Sequence, residues 1–251
     1  MGDLYTKPQA KAGSIGRGLS ESLWNQAPKR VLGGNIGDGF GFVDDFLSYD
    51  DASYRWLLTA ATSGTSIMDP AAKGGVLLLD TGAATINQGP QIQAGGAIAA
   101  SSFIASASSN IYFETRLKLV TIGSTTLHFF GGLSEVLATT LASAANTSTN
   151  HVGFEAINTT TLSYVHEKAG TRVSDTSAGT IADGTYIKLG FLIKGLTSIT
   201  PFVDGIAGTE QTASIPIVAM TPTIAVHSAA TTRPVAHVDW VACIQEEDIA
   251  N

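Results

Sequence analysis

The chain has 251 residues, 44% of them hydrophobic and 14% charged, and 14 basic against 21 acidic side chains give a formal net charge of −7. So apolar and weakly charged a chain excludes wholesale disorder, and the acidic balance excludes a general phosphate-neutralising nucleic-acid binder. The single cysteine, Cys243, excludes an intrachain disulfide framework, and no run nears the ~20 apolar residues of a membrane-spanning helix.

Residues 1–40 read as a leader distinct from a domain at 41–251. Lys7, Lys11, Arg17, Lys29 and Arg30 outnumber Asp3, Glu21 and Asp38 there, and glycines punctuate it. One helical turn is expected within residues 20–26, with Ser20 as N-cap and Leu23 and Trp24 apolar. The leader is too poor in apolar groups to bury a core of its own, so an extended arm is expected. Trp24, Lys29 and Arg30 are its candidate anchors on a partner, because aromatic and arginine side chains dominate interfaces. The alternative is that Trp24 folds back onto its own domain. The glycine-rich run at 33–41 lacks the Lys-Ser/Thr pair and following helix of a phosphate loop and reads as a linker.

From residue 42 onward the pattern is strands and turns. Runs at 42–47 and 54–59 come first. Residues 74–80, GGVLLLD, are apolar and bounded by glycine, as in a strand buried on both faces. Over 111–121, Ile111, Phe113, Leu117 and Leu119 share one face, and Tyr112, Glu114, Arg116 and Lys118 the other. Residues 136–148 read as a loop or a short helix. Further strands are expected at 127–133, 151–157, 162–167, 185–194, 198–206, 223–227 and 236–245, with Asp-Gly turns at 183–184 and 204–205. About a dozen short strands without a long helical period mean an all-β domain. One antiparallel two-sheet jelly-roll sandwich is the economical arrangement.

Several of these runs resemble a known family. DGTYIKLGF at 183–191, followed by ITPFVDG at 199–205, is similar to consecutive strands of concanavalin A-like (laminin G-like) jelly rolls. HVDWVACI at 237–244 resembles that family's last core strand, and NIYFETRLKL at 110–119 and FFGGLSE at 129–135 also fit. The likeness covers residues 42–247 and implies a concanavalin A-like fold. The glycine-rich leader, the Ala/Thr/Ser-rich body and the short acidic end together resemble virion structural proteins of tailed bacteriophages, which decorate or cement capsids.

Many jelly rolls of this class are glycoside hydrolases. Their catalytic strand carries carboxylates at i, i+2 and i+4, which alternation places on one face. The comparable polar face here reads Glu114, Arg116, Lys118, one carboxylate followed by two cations. Glu246, Glu247 and Asp248 are contiguous, so neighbours point apart, and Glu114 with Glu155 would have to converge from a distance. No catalytic residue is assigned, and a non-enzymatic protein is expected. His128, His151, His166, His227 and His237 show no zinc spacing. His237 and Asp239 are expected as a structural hydrogen-bonded pair, with Cys243 a buried thiol on the same face. Asp44, Asp45, Asp50 and Asp51 lack the spacing of a calcium loop. Neither metal nor cofactor is expected. Tyr112, Glu114, Arg116 and Tyr186 are candidate contacts for a sugar or a neighbouring subunit.

The resulting expectation is a capsid decoration or cement protein, made in the host cytoplasm and located on the virion. Its partners would be the major capsid protein or other virion subunits, together with copies of itself, a trimer among the options. The alternative is a lectin-like module that binds a surface glycan. A glycoside hydrolase comes third, disfavoured by the two cations.

Overall fold

The computed structural model describes residues 18–28, 31, 39–49, 55–60, 64–82, 86–95, 103–123, 125–137, 140–142, 145–229 and 232–246. Alternation of apolar with polar or small residues sets the local structure. A single helical turn, α1 (Glu21–Trp24), is followed by β1 (Gly39–Asp44), β2 (Trp56–Ala60), β3 (Thr65–Met68), β4 (Leu77–Asp80) and β5 (Pro90–Ala94). Next come β6 (Asn110–Val120), β7 (Leu127–Ser134), β8 (Leu141–Ala142), β9 (Ala145–Asn146), β10 (His151–Ile157) and β11 (Thr161–Lys168). The rest are β12 (Thr171–Thr180), β13 (Ile187–Lys194), β14 (Ser198–Val203), β15 (Ile206–Ala207), β16 (Thr221–Ser228) and β17 (Val235–Glu246).

These strands form an antiparallel two-sheet jelly-roll sandwich. The first sheet runs β15-β14-β13-β6-β17-β4-β3, with β1 also paired to β17. The second runs β12-β11-β10-β7-β16-β5-β2, and β8 and β9 make a small separate hairpin. Phe113, Leu189, Phe191 and Val241 of the first sheet join Phe129, Phe154, Tyr164 and Ile224 of the second in one core. Phe113 stacks on Phe191 at 5.0 Å, and Phe154 meets Tyr164 edge-on at 5.4 Å. Each such side chain contributes about 1.5–3 kcal/mol on full burial.

The outward positions of the central strands are covered too. Across the first sheet lies the segment at 18–31, whose Leu23, Trp24, Ala27 and Val31 pack on Tyr112, Phe202, Trp240 and Ile244. Ser20 sits at the N-cap of α1 but makes no side-chain cap bond. Gly190 gives Leu23 its room, since a Cβ there would lie 2.7 Å from Leu23 Cδ2 and 2.7 Å from the Phe113 carbonyl oxygen. Across the second sheet, Leu141 of β8 packs on Phe130, Val165 and Ala225. Gln91 and Gln93 tie this cover down. Gln91 donates to Leu137 O at 2.8 Å, and Gln93 donates to Glu135 O at 3.0 Å and accepts from Leu137 N at 3.1 Å.

The structure differs from the sequence pattern in two respects. First, residues 136–148 hold the β8–β9 hairpin rather than a helix, and β3, β5 and β12 are strands that alternation does not announce. β5 opens on proline, and β12 is an edge strand rich in serine and threonine whose exposed faces need no apolar stripe. Second, a bulge interrupts β17 between Val238 and Trp240. One extra residue reverses the parity of the rest of the strand, so His237 points outward while Val241 and Cys243 lie in the core. Cys243 therefore does not share a face with His237.

Trp24 is fully buried. Trp24→Ala is expected to cost about 3–5 kcal/mol, visible as a lower urea midpoint. An unchanged midpoint would mean that the segment at 18–31 adds nothing to the fold.

Candidate functional site

The sequence-selected residues of β6 lie on the outer face of the first sheet. Glu114 is fully buried and accepts two hydrogen bonds on Oε2, from Ser20 N at 3.0 Å and from Trp24 Nε1 at 2.9 Å. Tyr112 lies under Trp24, with ring centroids 6.0 Å apart, and donates from its hydroxyl to Glu246 Oε1 at 2.8 Å. The expected solvated face is thus sealed at these two positions. Burial raises the carboxyl of Glu114 above its ordinary value, opposed by Ser20, Lys188 and Trp24. Of the two placements considered for Trp24, the structure shows the one folded back on its own domain. Lys29 and Arg30 lie outside the described residues.

Arg116 and Tyr186 do come together, the guanidinium 3.8 Å above the ring, with Lys118 5.2 Å from the same ring. Arg116 also pairs with Asp239. His237 pairs with Asp69 at 3.3 Å, so the expected His237–Asp239 bond is replaced by two separate ones. Asp44 serves a corner of the core, where it accepts from Trp56 Nε1 and Phe46 N, each at 2.8 Å.

The outer face of the second sheet carries a different chemistry. Val152, Phe154 and Ala156 of β10 face the core, so His151, Gly153 and Glu155 occupy i, i+2 and i+4 on the outside. His151 donates from Nδ1 to Ser148 O at 2.9 Å, and burial depresses its imidazole to about 4, leaving it neutral at pH 7. Glu155 pairs through Oε1 with Arg172 of β12, while its Oε2 is buried without a hydrogen-bond partner. The Glu155 side chain is 8% exposed and that of Arg172 36%. Burial lifts the carboxyl of Glu155 above its ordinary value. Arg172 opposes that shift and Glu167 adds to it. Ser163, the cross-strand neighbour of Glu155, and Glu167 are partly exposed. The accessible part of this face is therefore the β11–β12 edge around Ser163, Glu167, Arg172 and Ser174, whereas the outward residues of β10 are buried and Val165 of β11 lies beneath Leu141 of β8. Glu114 and Glu155 sit on opposite outer faces of the sandwich and do not converge.

A pinned carboxylate with an unmet oxygen can accept from one hydroxyl, while the guanidinium beside it donates to the next. The Glu155–Arg172 pair was only half visible in the sequence. Alternation in HVGFEAI places Glu155 outward, but Arg172 belongs to a strand without an apolar signature. Among the described residues, no group of three or more His, Cys, Asp and Glu could hold a metal ion, and no helix is long and apolar enough to cross a membrane.

No protein-family model matches the chain, and no curated protein matches it in sequence. Solved structures share its fold at low identity. An endo-β-1,4-glucuronan lyase from the fungus Trichoderma reesei aligns with TM-score 0.55 and 12% identity, over 81% of this chain and 94% of that one. A prokaryotic β-1,3-1,4-glucanase (lichenase) from a mouse hindgut metagenome gives 0.55 and 15%, over 83% and 99%. The carbohydrate recognition domain of Emp47p gives 0.55 and 10%, over 80% and 93%. These likenesses are to jelly-roll sandwiches and are consistent with the concanavalin A-like fold. They correct the expectation of a non-enzymatic protein, because structures with this architecture include a lyase and a glucanase. They lend no support to a place in a virion.

Folded Glu114 holds its proton more tightly than the unfolded chain does. Its contribution to stability is therefore complete below the ordinary carboxylate value and declines as pH rises through the folded one. Glu114→Gln should remove that decline. Urea midpoints between pH ~4 and ~7 are expected to fall less with rising pH in the variant than in the wild type.

Proposed function

We propose that this chain is a carbohydrate-binding jelly roll that takes a glycan along the accessible β11–β12 edge of the outer face of the second sheet. Glu155 and Arg172 are its polar contacts. The observation that carries this reading is the Glu155–Arg172 pair itself, whose buried carboxylate oxygen has no hydrogen-bond partner beside a half-exposed guanidinium. A sugar hydroxyl is a donor of the right kind for that oxygen, and the neighbouring hydroxyl an acceptor for Arg172. Ser163 and Ser174, both outward and accessible, extend the polar floor on either side. The likeness to a carbohydrate recognition domain and to two polysaccharide-cleaving enzymes supports the same substrate class.

A second reading, cleavage of the bound glycan, is favoured by one observation. Glu155 and Glu167 lie on the same face, and the charge of Glu167 reinforces the raised carboxyl of Glu155. A carboxyl whose hold on its proton is raised is better suited to protonating a leaving oxygen than an ordinary one, with a second carboxylate acting on water.

Titration with mixed-linkage β-glucan and with glucuronan, backed by a glycan array, tests both readings. Saturable binding is expected to weaken by at least about tenfold in Glu155→Gln and in Arg172→Ala, with unchanged near-ultraviolet circular dichroism. Full affinity in both variants would remove the site. New reducing ends that vanish in Glu155→Gln and in Glu167→Gln would favour cleavage, and their absence in the wild type would leave binding alone.

A further inference from the structure

We infer that His128 and His227 form a binding site for a transition-metal ion of the imidazole-preferring class, zinc(II), nickel(II) or copper(II). The site lies on the covered half of the outer face of the second sheet. The two histidines stand directly opposite each other on β7 and β16. Leu127, Phe129 and Val226, their chain neighbours, face the core, so both imidazoles project from the same outer face. Residues opposed in this way have Cβ atoms ~4.5–5.5 Å apart. That spacing lets two rings lean onto one ion at nitrogen–metal distances of ~2.0–2.1 Å.

The state of the rings points the same way. Nε2 of His128 lies 3.1 Å from Oδ1 of Asn158. An amide oxygen only accepts, so Nε2 carries the proton and Nδ1 keeps its lone pair. This Nδ1 is buried without a hydrogen-bond partner, and so is Nδ1 of His227. The two residues are only 1% and 2% exposed. Two adjacent buried nitrogens without partners are an arrangement that protein interiors avoid, and a bound cation would satisfy both at once. Asn158, held at φ 53° in the turn between β10 and β11, plays the orienting part that carbonyl and carboxylate oxygens play for metal-bound histidines. With no third His, Cys, Asp or Glu completing a cluster among the described residues, water fills the remaining positions. A two-histidine site of this kind binds in the micromolar range. Nothing in it depends on a glycan.

The test uses the full chain, freed of any histidine tag and of metal. Zinc chloride is titrated by calorimetry, and copper(II) binding is followed by electron paramagnetic resonance. One ion per chain is expected, with two nitrogen donors in the copper spectrum. His128→Ala and His227→Ala should each weaken binding by at least about tenfold, while His237→Ala, on the other sheet, leaves it unchanged. Removing a buried ring can disturb folding, so the wild type supplies an independent readout. On adding zinc, the imidazole proton resonances of His128 and His227 should shift, and those of His151, His166 and His237 should not. The inference is overturned by no saturable uptake at millimolar zinc, by affinity retained in both variants, or by shifts confined to other histidines.

Discussion

Every second residue of a β-strand points away from the core it helps to build, and in the middle of this sandwich those residues are buried as well. β7, β10 and β16 are buried at nearly every position. Two sheets alone cannot achieve that, so each acquires a further layer. Residues 18–28 and 31 supply one, and residues 135–137, 140–142 and 145–150 supply part of the other. Each cover must also satisfy the polar groups it encloses, because an unmet buried donor or acceptor is costly. Trp24 and Ser20 do this for one carboxylate oxygen of Glu114, Oε2, and the backbone around Leu137 does it for Gln91 and Gln93.

The two covers differ in chemistry, and that difference locates the candidate site. The first is apolar, with Leu23, Trp24 and Val31 closing over aromatic and aliphatic side chains, and it seals Tyr112 and Glu114, two of the candidate contacts the sequence placed on that face. The second reaches Val165 of β11 but leaves Ser163 and Glu167 of that strand and the outward residues of β12 accessible. It leaves Glu155 half-met and Arg172 within reach of solvent, and it encloses two cross-strand histidines, each with an Nδ1 that lacks a hydrogen-bond partner.

Much of the fold could be read from alternation. In β6 it separates Phe113 and Leu117 from Tyr112 and Glu114, and the structure keeps that separation. What alternation cannot give is the destination of the outward face. Glu114 looks like the start of a solvated row, and the ring that buries it lies 90 residues earlier in the chain. Parity also fails wherever a bulge intervenes, and the bulge in β17 moves Cys243 into the core; Asp239 and His237 take separate partners, Arg116 and Asp69. Strands that carry little apolar weight, such as β5 and β12, are held by their neighbours' hydrogen bonds, which leave no trace in hydropathy. That is why the sequence offered Glu155 only as a distant companion of Glu114, and its actual partner Arg172 not at all.

The order of strands within each sheet bears on how the chain acquires its structure. β17 lies between β6 and β4, and β16 lies between β7 and β5. They are the last two of the described strands to leave a ribosome. Until residues 221–246 have emerged, each sheet exists as two unjoined halves, each with a bare inner edge, the kind of surface that recruits stray strands. Closure is therefore a late, long-range event at the slow end of the folding spectrum, and a nascent chain halted before β16 would be a natural client for chaperones.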